Sequence, residues 1–211
     1  DMCGNGLRCV AAYLYEVGYA SGSSFSITTL TGEREVVLEV TDGRLKSVCA
    51  NLGAPELKPD KIPMIAEKEP VIDLTVHIDG TAVELSAIST GTPHAVVFYD
   101  KPVEVRYLGP RLMVHPVFPE QASVNFVQAE GRGRLRARTW ERGGVGESLS
   151  CGTGAAAILA AAYLKGLTGR EAEVAHPGGS LYVRWDSRGD IWICGGAEAV
   201  FRGTLSLESF D

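Results

Sequence analysis

Two Cys-Gly-x-Gly tetrapeptides each open an apolar stretch that is typical of a helix, one beginning at Cys3 and the other at Cys151. A helix N-terminus lowers the pKa of a thiol because the dipole and the free N–H groups stabilise the anion. Glycines let the backbone turn tightly and approach a ligand, and free N–H groups at that end bind a carboxylate. Each tetrapeptide therefore offers a base and part of an anion cradle.

Two matched thiols suit one reaction in particular, the inversion of a carbon stereocentre next to a carboxylate. One thiolate removes the α-proton, and the opposite thiol protonates the other face. A single free cysteine is most often a small buried residue. Packing does not demand two equivalent cysteines between glycines, so the pair predicts that Cys3 and Cys151 are catalytic.

The composition argues against several classes of protein. The 211 residues are 45% apolar and 22% charged, with a formal net charge of −6, which is ordinary for a globular chain. The acidic balance argues against nucleic-acid or anionic-membrane partners, and no apolar run is long enough to span a bilayer. No C-x-x-C or H-x-x-x-H spacing supports a metal site. The five cysteines are too sparse for a disulfide scaffold, so we expect reduced thiols in a cytoplasmic setting, with structural roles for Cys9, Cys49 and Cys194.

The same order of elements follows each Cys helix: a Gly-containing turn, a strand, an Asp-containing turn and a second strand, over 31–48 and again over 177–194. This repetition predicts a duplication. We expect an α+β fold of two similar, pseudo-symmetric lobes, each a central helix wrapped by mostly antiparallel strands, with both helix N-termini facing one cleft. The predicted division is 1–87 for the N-terminal lobe and 88–198 for the C-terminal lobe, with a strand in 199–211 returning to the first.

Hydrophobic periodicity and turn residues place the individual elements. Helices are predicted over 3–17, 103–114 and 151–164. Strands are predicted over 34–41, 45–49, 71–78, 81–88, 94–99, 123–128, 135–140, 171–175, 181–185, 191–194 and 200–207.

The chain resembles the diaminopimelate epimerase family over almost its whole length. The resemblance rests on blocks that occur in the family's order and near its spacing: MCGNGLRC at 2–9, GTPH at 91–94, FPE at 118–120, NFV at 125–127, WERG at 140–143, GES at 146–148 and CGTG at 151–154. It implies a cofactor-independent isomerase that takes diaminopimelate from the LL to the meso form in lysine and cell-wall precursor biosynthesis. It also implies a homodimer whose only other partner is its small amino-acid substrate.

The resemblance assigns roles within the site. Cys3 and Cys151 would be the acid/base pair, and His94 and Glu141 would tune the thiol pKa values. Gly4, Asn5, Gly152 and Thr153 would hold the carboxylate at the reacting centre, and Asn125 and Arg142 would contact the distal end. Thr92 and Glu141 would also bind substrate. Arg142 suits its task because a planar guanidinium matches a carboxylate.

The chain departs from the family pattern in three places. One is the loop of Gly143, Gly144 and Val145, which is one residue longer than usual. Thr92 stands where the family often has Asn. Threonine keeps a hydrogen-bonding group but has a shorter reach. The family also carries some tens of residues before its first Cys, so the resemblance implies a first lobe that is incomplete at its N-terminus, with an exposed edge.

Other interpretations stay open at this level. The chain could be a racemase of another amino acid in the same superfamily, or a non-catalytic or thiol-redox protein that uses Cys3 and Cys151 as a reversible disulfide. Singly, Glu141 and Arg142 could be a solvated pair at a strand end. His94 could cap a loop, and Asn125 could be a strand-end amide.

Overall fold

The structure is a computed structural model that describes residues 2–20 and 22–204. Over those residues three helices and twelve strands follow one another along the chain. Their order is α1 (Gly4–Glu16), β1 (Ser24–Thr29), β2 (Gly32–Thr41), β3 (Arg44–Gly53), β4 (Leu74–Ile78), β5 (Thr81–Ser89), β6 (Pro93–Phe98), α2 (Val105–Met113), β7 (Ser123–Ala129), β8 (Arg134–Glu141), β9 (Gly146–Ser148), α3 (Gly152–Leu164), β10 (Glu171–His176), β11 (Gly179–Trp185) and β12 (Ile191–Gly195).

The strands form one mixed sheet in the order β1-β2-β3-β12-β11-β10-β8-β7-β6-β5-β4, with β9 paired to β8. Among the described strands only β6–β7 and β10–β8 run parallel, and the other pairs are antiparallel. This confirms the predicted α+β class with mostly antiparallel strands. Each Cys helix is followed by three strands, β1–β3 and β10–β12, and the two sets meet where β3 pairs with β12.

The two Cys helices differ in how far they are enclosed. Helix α3 consists mostly of Gly, Ala, Ile and Leu, and every residue from Gly152 to Ala162 is buried. Its small side chains let strands pack closely on all sides, as expected of a helix that is apolar all round. Helix α1 buries only one face, through residues such as Leu7 and Ala11, while Tyr13 on the other face is 59% exposed.

The buried apolar residues form two clusters. The first joins α1, β2, β3 and α3 to β11 and β12. The second joins α2 to β4, β5, β6 and β7. By sequence β4 and β5 fall in the predicted lobe 1–87, yet they pair towards β6, and the expected division after residue 87 lies inside β5.

Most predicted elements are present with boundaries shifted by a few residues. Strand β4 begins at Leu74 rather than 71, because Asp73 has a positive φ of 55° that interrupts an extended chain. Strand β1 was not predicted, since its Ser- and Thr-rich sequence has little apolar contrast, and β9 is only three residues long. In the predicted strand 200–207, residues 200–204 are not in a strand, and the rest lies outside the described residues.

Cys49 on β3 and Cys194 on β12 lie directly opposite each other and form a disulfide. The expectation that all five cysteines are free thiols is therefore wrong for this pair, although their structural role fits. The disulfide could not be predicted because 145 residues separate the two cysteines, and only the pairing of the two strands brings them together. Cys9 is exposed on the open face of α1.

Among the described residues no helix is long and apolar enough to cross a membrane. No group of three or more His, Cys, Asp or Glu side chains among them is placed to hold a metal ion.

Candidate active site

Cys3 and Cys151 occupy the same position in their helices with nearly the same geometry. Each is the N-cap, with φ −123° and ψ 96° for Cys3 and φ −122° and ψ 111° for Cys151. The Cys3 sulfur accepts a hydrogen bond from the backbone N–H of Gly6 at 3.3 Å, and the Cys151 sulfur accepts one from Gly154 at 3.4 Å. Both sulfurs therefore lie at the positive end of a helix, where unpaired backbone donors converge.

The two helix starts touch each other through glycine. A Cβ placed on Gly4 would lie 2.4 Å from the Cδ1 of Ile193 and 3.7 Å from the Cα of Gly152. A Cβ placed on Gly152 would lie 3.4 Å from the backbone N of Asn5. Glycine at these two positions is what allows the first turns of α1 and α3 to approach this closely.

A cavity of about 250 Å³ lies between the helix starts. It collects most of the residues expected in the site, namely Cys3, Gly4, Asn5, Thr92, Glu141, Arg142, Cys151, Gly152 and Thr153. Met2, Ser123 and Ser150 also line it and were not predicted. Met2 and Ser150 each precede a cap cysteine, and this adjacency was the only signal for them.

The side chain of Asn5 is engaged on both sides. Its Nδ2 donates to the backbone carbonyl of Ser150 at 3.2 Å, and its Oδ1 accepts from a guanidinium nitrogen of Arg8 at 3.1 Å. Arg8 is buried, and burial lowers its pKa, with the nearby Cys9 and Cys3 acting in the opposite direction. Its Nε has no partner among the described residues. Sequence reasoning missed Arg8, although its position three residues after Asn5 on one helix face could have suggested the contact.

His94 and Asn125 lie beneath the cavity and do not line it. Both are fully buried, and the Asn125 Nδ2 lies 3.2 Å from the His94 Nδ1. Burial lowers the pKa of His94 to about 3, and the positive charge of Arg142 acts in the same direction. The imidazole is therefore neutral.

The pKa of the Cys151 thiol is raised to about 11. Burial is the main cause, and the charge of Glu141 adds to it, while hydrogen bonds from Thr153 and Gly154 lower it. The expectation that a helix start lowers the thiol pKa is thus wrong for Cys151, because desolvation and a neighbouring carboxylate outweigh the N-terminal donors. Glu141 and the thiol line the same cavity. Cys3 is exposed to the solvent.

Arg142 follows the last residue of β8 at the mouth of the cavity. Its backbone N–H donates to the Ser123 Oγ at 3.2 Å, and one guanidinium nitrogen donates to the carbonyl of Glu120 at 3.3 Å. The two bonds hold the start of the loop between β8 and β9 against β7. They leave the guanidinium beside the cavity, where a planar cation can meet an anionic group.

The chain is similar in sequence to a family of known proteins. The family model described as diaminopimelate epimerase matches residues 86–200. A diaminopimelate epimerase of Leptospira biflexa is 37% identical, the match covering 98% of this chain and 75% of the relative. One from Caldanaerobacter subterraneus is 39% identical, with 98% and 76% covered.

Solved structures share the fold at lower identity. A probable proline racemase from Agrobacterium radiobacter K84 superposes with a TM-score of 0.71 at 19% identity, over 100% of this chain and 69% of that one. A hydroxyproline epimerase from Agrobacterium vitis gives 0.64 at 18% identity, over 90% and 63%. The family model and the two relatives show that this chain belongs to the diaminopimelate epimerase family of isomerases.

Proposed function

We propose that this protein inverts one α-carbon of diaminopimelate, from the LL to the meso form, by proton transfer between Cys3 and Cys151 without a cofactor. The reaction would serve lysine and cell-wall precursor biosynthesis. The observation that carries the proposal is the matched capping geometry of two thiols on one cavity. The choice of diaminopimelate as the substrate rests on the relatives that are named diaminopimelate epimerase.

In the resting site the two thiols have different tasks. Because burial favours the protonated thiol of Cys151, we assign Cys151 as the acid and Cys3 as the base in the first direction. The Cys3 thiolate takes the α-proton, and the electron pair of the broken C–H bond is delocalised into the substrate carboxylate. Cys151 then donates its S–H proton to the opposite face, which leaves Cys3 as a thiol and Cys151 as a thiolate.

The opposite direction starts from the state that the first leaves, with Cys151 as the thiolate and Cys3 as the thiol. The Cys151 thiolate removes the α-proton, and the Cys3 thiol donates its proton to the other face, which restores the starting protonation of both sulfurs. Repeated turnover in one direction needs a proton to pass from Cys3 to Cys151 through the solvent between turnovers. Glu141, whose charge acts on the Cys151 thiol, is placed to pass that proton on to the sulfur, so no cofactor is needed.

The carboxylate at the reacting centre would lie between the two helix starts. The first-turn N–H groups of α1 and α3 have no intrahelical acceptors, and they converge where Gly4 and Gly152 meet. Negative charge that develops on the carboxylate during proton removal is stabilised there. Arg142 at the cavity mouth would bind the distal carboxylate, which distinguishes diaminopimelate from smaller amino acids.

The test separates the two half-reactions with C3S and C151S. Serine keeps the size but has a far higher pKa than a thiol, so each variant loses one base. We expect both variants to lose full epimerisation, measured as the conversion of LL-diaminopimelate to the meso form. Each should still eliminate a halide from a β-halogenated substrate, since elimination needs only one base, and the two variants should prefer opposite diastereomers.

C9S is the matched control, because Cys9 lies on α1 outside the cavity. It should exchange the α-proton at the rate of the unmodified protein. A shared diastereomer preference in C3S and C151S would refute the two-base assignment. Exchange that proceeds equally well on an amino acid without a distal carboxylate would instead point to a racemase of another amino acid.

A further inference from the structure

A continuous chain of polar side chains runs from β8 to the sulfur of Cys151. Thr139 on β8 donates to the Asn125 Oδ1 at 3.0 Å, and the Asn125 Nδ2 lies 3.2 Å from the His94 Nδ1. The His94 Nε2 lies 2.9 Å from the Thr92 Oγ1. The Thr92 hydroxyl lies 3.3 Å from that of Thr153, which lies 3.6 Å from the Cys151 sulfur.

The direction of the hydrogen bonds is fixed at the buried end of this chain. The Asn125 Nδ2 also contacts the backbone carbonyl of Ala95 at 3.1 Å, and a carbonyl can only accept. The amide must therefore turn its NH₂ towards Ala95 and His94 and its oxygen towards Thr139. The reverse orientation would set two carbonyl oxygens against each other.

The orientation of Asn125 determines the tautomer of His94. Because the Asn125 NH₂ donates, the His94 Nδ1 must accept, and a neutral imidazole then carries its proton on Nε2. The low pKa of His94 excludes the doubly protonated ring. The Nε2–H therefore donates to Thr92, not the reverse.

The hydroxyls of Thr92 and Thr153 each accept one hydrogen bond and donate the next. Thr92 accepts from His94, so its own proton is left to donate to the Thr153 Oγ1. Thr153 accepts that bond and turns its proton towards the Cys151 sulfur. A second contact holds Thr153 in place, since the Thr90 hydroxyl donates to the Thr153 backbone carbonyl at 2.8 Å.

We propose that Thr92 is a positioning residue for the Cys151 thiolate, because it fixes the Thr153 hydroxyl as a donor to that sulfur. The proposal rests on the proposed function, in which Cys151 must carry a negative charge once in every turnover. The hydrogen-bonded side chains from Thr139 to Thr153 stabilise the thiolate charge and so oppose the repulsion from the neighbouring Glu141 carboxylate. The other charged or titratable groups around the sulfur are Arg142 at the cavity mouth and Cys3 on the facing helix start.

This assignment differs from the substrate contact expected for Thr92. Its proton is engaged with Thr153, and its oxygen already accepts from His94. The hydroxyl has no further proton to donate to a substrate carboxylate. Thr92 therefore acts on the reaction through the thiol.

The experiment measures the thiol of Cys151 directly in the full chain. Alkylation by iodoacetamide is followed against pH, with the Cys151 peptide quantified by mass spectrometry, for the unmodified protein and for T92V, T92S and T153V. T168V is the matched control, since Thr168 is also buried and, among the described residues, its hydroxyl bonds only to the Glu171 carbonyl. Valine keeps the shape of threonine, so each variant removes one hydroxyl.

We expect T153V to slow alkylation of Cys151 about tenfold at a given pH, and T92V about threefold, through a raised thiol pKa. T92S should restore the rate, and T168V should not change it. NMR of histidine-labelled protein should find His94 protonated on Nε2. A Cys151 alkylation rate unchanged in T92V, or a His94 protonated on Nδ1, would overturn the proposal.

Steady-state kinetics separate this proposal from the proposed function. A positioning role predicts that T92V lowers kcat with little change in KM, whereas a substrate contact predicts a raised KM, which would refute the proposal. If T92V shifts the thiol but the unmodified protein does not exchange the α-proton of diaminopimelate, the proposed function fails and the role of Thr92 stands.

Discussion

Asn5 donates a hydrogen bond of 3.2 Å to the backbone carbonyl of Ser150, the residue before Cys151. This bond joins the first turn of α1 to the segment that leads into α3. The other end of the amide accepts from the buried Arg8. One side chain thus ties together the two helix starts that present the thiols, and its substrate-binding role stays a prediction.

Replacing Asn5 by alanine should lower the free energy of unfolding by about 1–3 kcal/mol. The variant breaks the bond to Ser150 and leaves the Arg8 guanidinium buried without its acceptor. Urea unfolding followed by circular dichroism measures the change.

A double-mutant cycle with R8M identifies the source of that loss. Methionine removes the buried charge while filling similar space, so N5A should cost less in the R8M background than alone. Costs that simply add would mean that Asn5 and Arg8 do not interact.

The local part of this site could be predicted from sequence because its residues are neighbours in the chain. The cap cysteines, their glycines and the Glu141–Arg142 pair each stand in a short block that folds as a unit. Arg8 was missed although its partner Asn5 stands three residues before it on one helix. Thr139 was missed because it acts through the buried Asn125. Nothing in the sequence indicates that Thr139 faces Asn125 until β7 and β8 are paired in register.

The same distinction applies to the fold. Alternating strands and Asp-Gly turns specify the hairpins β2–β3 and β4–β5, since those contacts are local. The pairing of β3 with β12, and the disulfide that follows from it, depends on how two distant hairpins pack. The raised pKa of Cys151 has the same origin, since burial is a property of the assembled core.

Replacing Gly4 by alanine should be more destabilising than an ordinary exchange of glycine for alanine. The added methyl would lie 2.4 Å from the Cδ1 of Ile193, so the side chain or the helix start must shift, at a cost of about 1–3 kcal/mol. Thermal unfolding measures it. Gly169 is the matched control, since no atom lies within 4 Å of a Cβ placed there.

The second variant G4A/I193V tests the stated clash. Valine lacks the Cδ1 atom, so the double variant should lose less stability than the sum of the single variants. A G4A variant as stable as G169A would mean that the two helix starts are not packed as described.

The disulfide between Cys49 and Cys194 predicts how many thiols react in the denatured protein. Cys3, Cys9 and Cys151 are free, so a thiol-alkylating reagent added without a reductant should label those three and spare the linked pair. Intact-mass measurement gives the count, and prior reduction should expose both remaining thiols. The variant C49A/C194A should label identically with and without the reductant.

The buried His94 predicts a loss of stability in acid. Its pKa falls from the ordinary 6.5 to about 3 in the folded protein. Between these values the unfolded chain binds a proton that the folded protein excludes, so the free energy of unfolding decreases as the pH falls through that window. His176, whose burial lowers its pKa to about 4, contributes in the same direction.

Replacing His94 by glutamine should remove one of the groups that bind a proton when the protein unfolds. The dependence of the unfolding free energy on pH should become shallower by up to about 1.4 kcal/mol per pH unit between roughly pH 6 and 4. Urea unfolding at a series of pH values measures the slope. The variant H77Q is the control, because His77 is exposed on β4, and it should keep the slope of the unmodified protein. If H94Q and H77Q share one slope, His94 takes up its proton in the folded state, and the neutral imidazole on which the direction of the Thr92 chain depends is wrong.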